Sequence, residues 1–149
     1  MEKLKCVNIS AREAGSLDTL PKGWVCISVN EEHRKHYDLK FDNDHNKKCI
    51  LRLQFTDVTY KVDQGGEVYS PIDLDSVHKI LHFAEFHKDK NFIVHCAAGI
   101  SRSAAICMFL HVIYGHKLKK DFFFTSEPNP FALGLLISTY KRVEDLKKS

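Results

Sequence analysis

The chain has 149 residues, of which 44% are hydrophobic and 28% charged, with a formal net charge of +3. That length and apolar content suit one globular domain over residues 1–149 with its own core, and leave no room for a second. The lysines are scattered in short clusters and form no stripe fit for nucleic acid, the start of the chain lacks a secretory signal, and no apolar run is long enough to cross a bilayer; the expected compartment is the cytoplasm.

In chain order, Lys5 to Ile9 reads as an edge strand. Trp24 to Val29 and Cys49 to Phe55 are β-prone runs, and Asn91 to His95 is short and apolar, as a buried central strand should be. Between the strands, Ser70-Pro71-Ile72-Asp73 predicts a helix start with a serine cap, proline at the first helical position and an acid at the third. Leu74, Val77, Ile80, Leu81 and Ala84 then fall on one face, which should pack on the sheet. A second helix runs from Arg102 to about Tyr114 and stops at Gly115, and a third from about Pro130 to Leu146. This alternation predicts an α/β domain: a mainly parallel sheet of four or five strands flanked by helices on both faces, with ligands bound beyond the carboxyl ends of the strands.

The most informative stretch lies at one such end. Ile93-Val94-His95-Cys96-Ala97-Ala98-Gly99-Ile100-Ser101-Arg102-Ser103 sets a cysteine and an arginine six positions apart between a strand and a helix. A turn of that length whose amides point inward makes a concave anion site, the helix adds its positive end, and an arginine can fork onto two phosphate oxygens. A thiolate at the floor of the cup would be aimed at phosphorus. A phosphatase working through a phosphocysteine is the chemistry these residue types suit.

His95-Cys96-x5-Arg102-Ser103 resembles the signature of the cysteine-dependent protein tyrosine phosphatase superfamily. The order of elements from about Val25 to Tyr140 is similar to its compact, dual-specificity-like microbial members. The resemblance implies Cys96 as nucleophile and Arg102 as the group that binds the equatorial phosphate oxygens. It implies Ser103 as hydrogen-bond donor to the departing sulfur and His95 as a residue that orders the loop. Ala97, Ala98, Gly99, Ile100 and Ser101 would line the phosphate site, with Gly99 supplying a positive φ or a close approach. In dual-specificity relatives an asparagine before the last helix braces the loop, and Pro128-Asn129-Pro130-Phe131 matches that segment; a plain turn and helix start explains it equally well.

A general acid is also needed. Asp73 and Asp75 sit where a helix start wants acids in any case. Asp57 follows a strand, falls at the same sheet edge as Cys96 and lies in Phe55-Thr56-Asp57, which resembles the Phe-x-Asp of compact microbial enzymes. Asp63 has closer to the usual family spacing but stands beside Gln64-Gly65-Gly66, where turn chemistry explains it. Asp57 is preferred and Asp63 kept as the alternative, with Val58 to Tyr69 as a mobile flap. The segment His33 to Asn46, rich in charge and histidine, reads as a solvated connection that could instead rim the site.

Other chemistries fit less well. Five cysteines without regular spacing suit reduced thiols, and Cys6, Cys26, Cys49 and Cys107 read as small buried hydrophobes. A zinc site from His95, Cys96, Cys107, His111 and His116 lacks paired ligand spacing, a nucleotide-binding loop would need Gly-Lys-Ser or Gly-Lys-Thr, and a rhodanese-like sulfur carrier would not need the Gly99, Arg102, Ser103 pattern. No metal or cofactor is expected. Neutral positions at Ala97, Ala98, Ile100 and Ser101 favour a phosphorylated protein or peptide, phosphotyrosine first, over a polyphosphorylated headgroup. Neither nucleic acid nor membrane is expected as a partner, and the chain is expected to be monomeric. The competing reading is a pseudophosphatase that binds phosphoprotein without turnover.

Overall fold

The computed structural model describes residues 3–42 and 47–148. Positions 43–46, the end of the His33 to Asn46 segment, and 1, 2 and 149 lie outside the described residues.

Five strands form one sheet: β1 (Lys5–Ser10), β2 (Trp24–Asn30), β3 (Ile50–Gln54), β6 (Asn91–Cys96) and β7 (Lys117–Leu118). Their order is β3-β2-β6-β1-β7, and every pairing is parallel. A separate antiparallel hairpin joins β4 (Val62–Gln64) to β5 (Glu67–Tyr69) through Gly65 and Gly66, both at positive φ. The helices are α1 (Ala11–Ser16), α2 (Leu74–Phe86), α3 (Arg102–Tyr114), α4 (Phe122–Thr125) and α5 (Pro130–Lys147). Among the described residues no helix is long and apolar enough to cross a membrane.

Strand side chains alternate between two cores, as the period of two requires. Val25, Ile27, Val29, Phe92 and Val94 point to the face covered by α2, α3 and α5, where Val77, Ile80, Ala84, Ile106, Phe109, Leu110 and Leu136 complete a dry cluster. Cys26 and Ile93 point the other way, onto Ala14 of α1 and onto Leu39 and Phe41. Helices therefore flank both faces, but unequally: the three long ones share one face, while one short helix and a loop cover the other.

Four details differ from the sequence reading. β1 is not an edge strand; β7, only two residues long and invisible as a pattern, lies outside it. Helix α2 begins at Leu74, capped by Asp73, whose carboxylate accepts from the Ser76 amide at 2.8 Å. Ser70 does not cap it because Ser70 is engaged elsewhere: its amide donates to Glu32 Oε1 at 2.6 Å and its carbonyl accepts from the Thr56 amide at 2.8 Å. Leu74, placed on the packing face, is exposed. The His33 to Asn46 segment is more than a solvated connection, since Leu39 and Phe41 are buried.

Candidate active site

Strand β6 ends at Cys96 and α3 starts at Arg102, so the five residues between them turn at the carboxyl edge of the sheet, where parallel α/β folds bind ligands. Helix α3 closes with Gly115 in the left-handed conformation (φ +75°), a conformation that suits glycine at a helix end.

Cys96 is 2% exposed. Its Sγ lies 3.2 Å from Ser103 Oγ and accepts from the Gly99 amide at 3.3 Å. The Gly99 amide and the Ser103 hydroxyl thus both stand within hydrogen-bond reach of the sulfur. Gly99 has φ +73°, and a Cβ there would stand 2.7 Å from the Ile9 carbonyl oxygen. Any other residue would force the loop off the end of β1. That seat is fixed by Asn8, buried in β1, whose Nδ2 donates to the Gly99 carbonyl (2.8 Å) and to Ser126 Oγ (2.9 Å), and by the Ala11 amide donating to the Ala97 carbonyl at 3.1 Å.

Arg102 is buried with its fork occupied: Nη1 donates to the Phe55 carbonyl at 2.8 Å and Nη2 to Glu31 Oε1 at 2.6 Å. A buried guanidinium needs such partners, since removing one leaves an uncompensated charge. Ser101 occupies the N-cap position of α3, yet its hydroxyl caps no helix amide. It donates to Asp57 Oδ1 at 2.8 Å, and Asn129 Nδ2 donates to the same oxygen at 2.8 Å. Asn129 also caps α5, with Oδ1 accepting from the Ala132 amide at 3.0 Å. Asp57 is thereby tied to the loop between β6 and α3 and to the start of α5. Asp63 lies in β4 of the exposed hairpin, and among the described residues no hydrogen bond joins it to the loop. Asp73 is a helix cap, and Asp75, in the first turn of α2, pairs with Lys79.

Beneath the loop, on the face away from the long helices, His95 is fully buried. Its Nε2 meets Ser28 Oγ at 2.6 Å, Asn30 Nδ2 donates to Ser28 Oγ at 3.1 Å and to the Leu53 carbonyl at 3.2 Å, and the Tyr37 ring stands edge-on to the imidazole at 5.8 Å. Burial, reinforced by the cations of Arg52 and Arg102, lowers the His95 pKa to about 4, so the ring is neutral at physiological pH. Burial pushes the Cys26 thiol up to about 12, leaving an inert core residue. Cys6 and Cys107 are buried too, and Cys49 is half-buried. Among the described residues no three His, Cys, Asp or Glu side chains converge as metal ligands.

No protein-family model matches the chain, and no curated protein sequence does. Solved structures do. Human DUSP28 superposes with a TM-score of 0.53 at 21% identity, over 95% of this chain and 94% of that one. The dual-specificity-like fold is the fold of this chain. A human tyrosine phosphatase-like serine/threonine/tyrosine-interacting protein aligns over 82% of this chain and 79% of that one, at 20% identity and a TM-score of 0.48.

The fold places Cys96, Arg102, Ser103, His95, Asp57 and Asn129 around one loop and leaves Asp63 on a hairpin outside it. Sequence reasoning missed Glu31, Asn8, Ser28 and Asn30. For the first and last a signal existed: Asn30 and Glu31 directly follow the strand Trp24 to Val29, at the edge where the site was expected.

Proposed function

We propose that the protein hydrolyses phosphoric monoesters, phosphotyrosine in proteins or peptides foremost, through a phosphocysteine intermediate. The observation that carries this reading is that one short loop holds the Cys96 sulfur and, through Ser101, the Asp57 carboxylate. In the first step the thiolate attacks phosphorus, the S–P bond forms and the bond to the leaving oxygen breaks. Asp57 gives that oxygen a proton. Since Oδ1 already accepts from Ser101 and Asn129, Oδ2 is the oxygen that carries the proton. Arg102 turns its fork to the equatorial oxygens while Glu31 keeps the guanidinium in place. In the second step water attacks phosphorus, Asp57 takes its proton, and the S–P bond breaks with Ser103 donating to the returning thiolate.

Hydrolysis of para-nitrophenyl phosphate across pH, under reducing conditions with chelator present, tests the scheme. Wild type turns over, Cys96→Ser is inactive, and Asp57→Ala loses the basic limb while Asp63→Ala keeps it. Loss of the limb in Asp63→Ala moves the acid to the hairpin. An inactive wild type that still binds phosphopeptide makes the chain a recognition module.

A further inference from the structure

The β7 edge of the sheet carries a surface the chemistry above does not use. Lys5 of β1 stands directly opposite Lys117 of β7, and Lys3, Lys119 and Lys120 extend the same edge around two shallow hollows. Like charges paired across adjacent strands repel. Among the described residues none of the five has an acidic partner in an ion pair, although Lys119 donates to the Asn8 carbonyl at 3.1 Å. The chain then turns through Asp121 into α4, where Phe122 is buried but Phe123 is 73% and Phe124 92% exposed. Directly after α4, the Glu127 amide donates to the carbonyl of Ile100 in the phosphate loop at 2.8 Å.

Lysines on an edge strand ordinarily guard against aggregation. That explanation covers Lys117 and fails for the phenylalanines, which a solubility device would not place beside it. Cations flanking exposed aromatic rings match a negatively charged lipid interface, where the rings enter the headgroup and acyl boundary and the lysine stems lie along it with their ammonium groups outward.

We propose that Lys3, Lys5, Lys117, Lys120, Phe123 and Phe124 form a peripheral docking surface for anionic membranes. This reverses the sequence expectation of no membrane partner, which rested on the absence of a spanning segment; a surface contact needs none. Docking does not depend on turnover, so Cys96→Ser protein binds as wild type does.

The test is co-sedimentation with vesicles of phosphatidylcholine alone or doped with phosphatidylserine. Wild type is expected to bind only the doped vesicles, less as salt rises, and the double variants Phe123→Ser/Phe124→Ser and Lys117→Glu/Lys120→Glu each to lose about tenfold or more. The Phe123→Ser/Phe124→Ser melt should match wild type and the Lys117→Glu/Lys120→Glu melt should be no lower, since all four positions are exposed and a glutamate at 117 faces Lys5. The proposal is overturned if doped vesicles bind nothing, if neutral vesicles bind equally, or if either folded variant binds like wild type. It also fails if polyglutamate binds as tightly without lipid, which would mark an acidic-peptide site, or if light scattering shows a dimer that Phe123→Ser/Phe124→Ser dissociates.

Discussion

On one face of the sheet, Val25, Ile27, Phe92 and Val94 meet three long helices in an apolar cluster; on the other, Ser28, Asn30 and His95 form a buried hydrogen-bonded chain under the phosphate loop. The first face gains stability in proportion to area and has no direction to enforce. The second gains little from each bond and loses much if one partner is missing, so it constrains geometry. Damage to the helical face should lower stability with activity per folded molecule intact. Damage to the polar face should lower activity out of proportion to stability.

The largest stability effect belongs to the helical face. Phe92→Ala, at a fully buried position, is expected to cost about 3–5 kcal/mol in denaturant melts while kcat of the remaining folded protein holds. Loss of kcat in step with stability would erase the distinction between the faces.

Second comes pH. His95 is neutral when folded, with its pKa near 4 against 6.5 unfolded, so the unfolded chain binds the extra proton between those values. Stability is full above 6.5 and falls as pH drops toward 4, by about 3 kcal/mol for this residue. His87 and His116, also lowered by burial, add in the same direction. His95→Asn should therefore flatten part of the acid ramp, read as the urea midpoint against pH.

Ser28→Ala comes next: it leaves His95 Nε2 and Asn30 short of a partner and should cost about 1–3 kcal/mol. Its kcat should fall further than that of a helical-face variant of equal stability. Smallest is Leu74→Ser. The residue is 53% exposed, and melting should shift by no more than about 0.5 kcal/mol.

What the sequence disclosed follows the same division. The helical face is written in local periodicity: Val77, Ile80 and Ala84 announce α2, and Gly115 ends α3. The loop was legible because its residues are contiguous from His95 to Ser103. The buried polar contacts were not, because their meaning lies in partners far away in the chain: Asn8 reaches Gly99 across 91 positions, Glu31 reaches Arg102 across 71 and Ser28 reaches His95 across 67. No window holds both members of such a pair. β1 looked peripheral because the strand outside it, β7, is only two residues long. The Val58 to Tyr69 stretch, read as a flap, contains the β4/β5 hairpin, whose three-residue strands are too short to show a period.

The seat of Gly99 on Ile9 and Ser10 makes β1 a wall of a cup whose other residues lie almost ninety positions further along the chain. A chain whose β1 is not paired with β6 can carry the whole Cys96 to Ser103 signature and still lack the seat on which Gly99 rests. The cup closes only when β1 and β6 come together, one of the long-range closures that chain entropy makes slow.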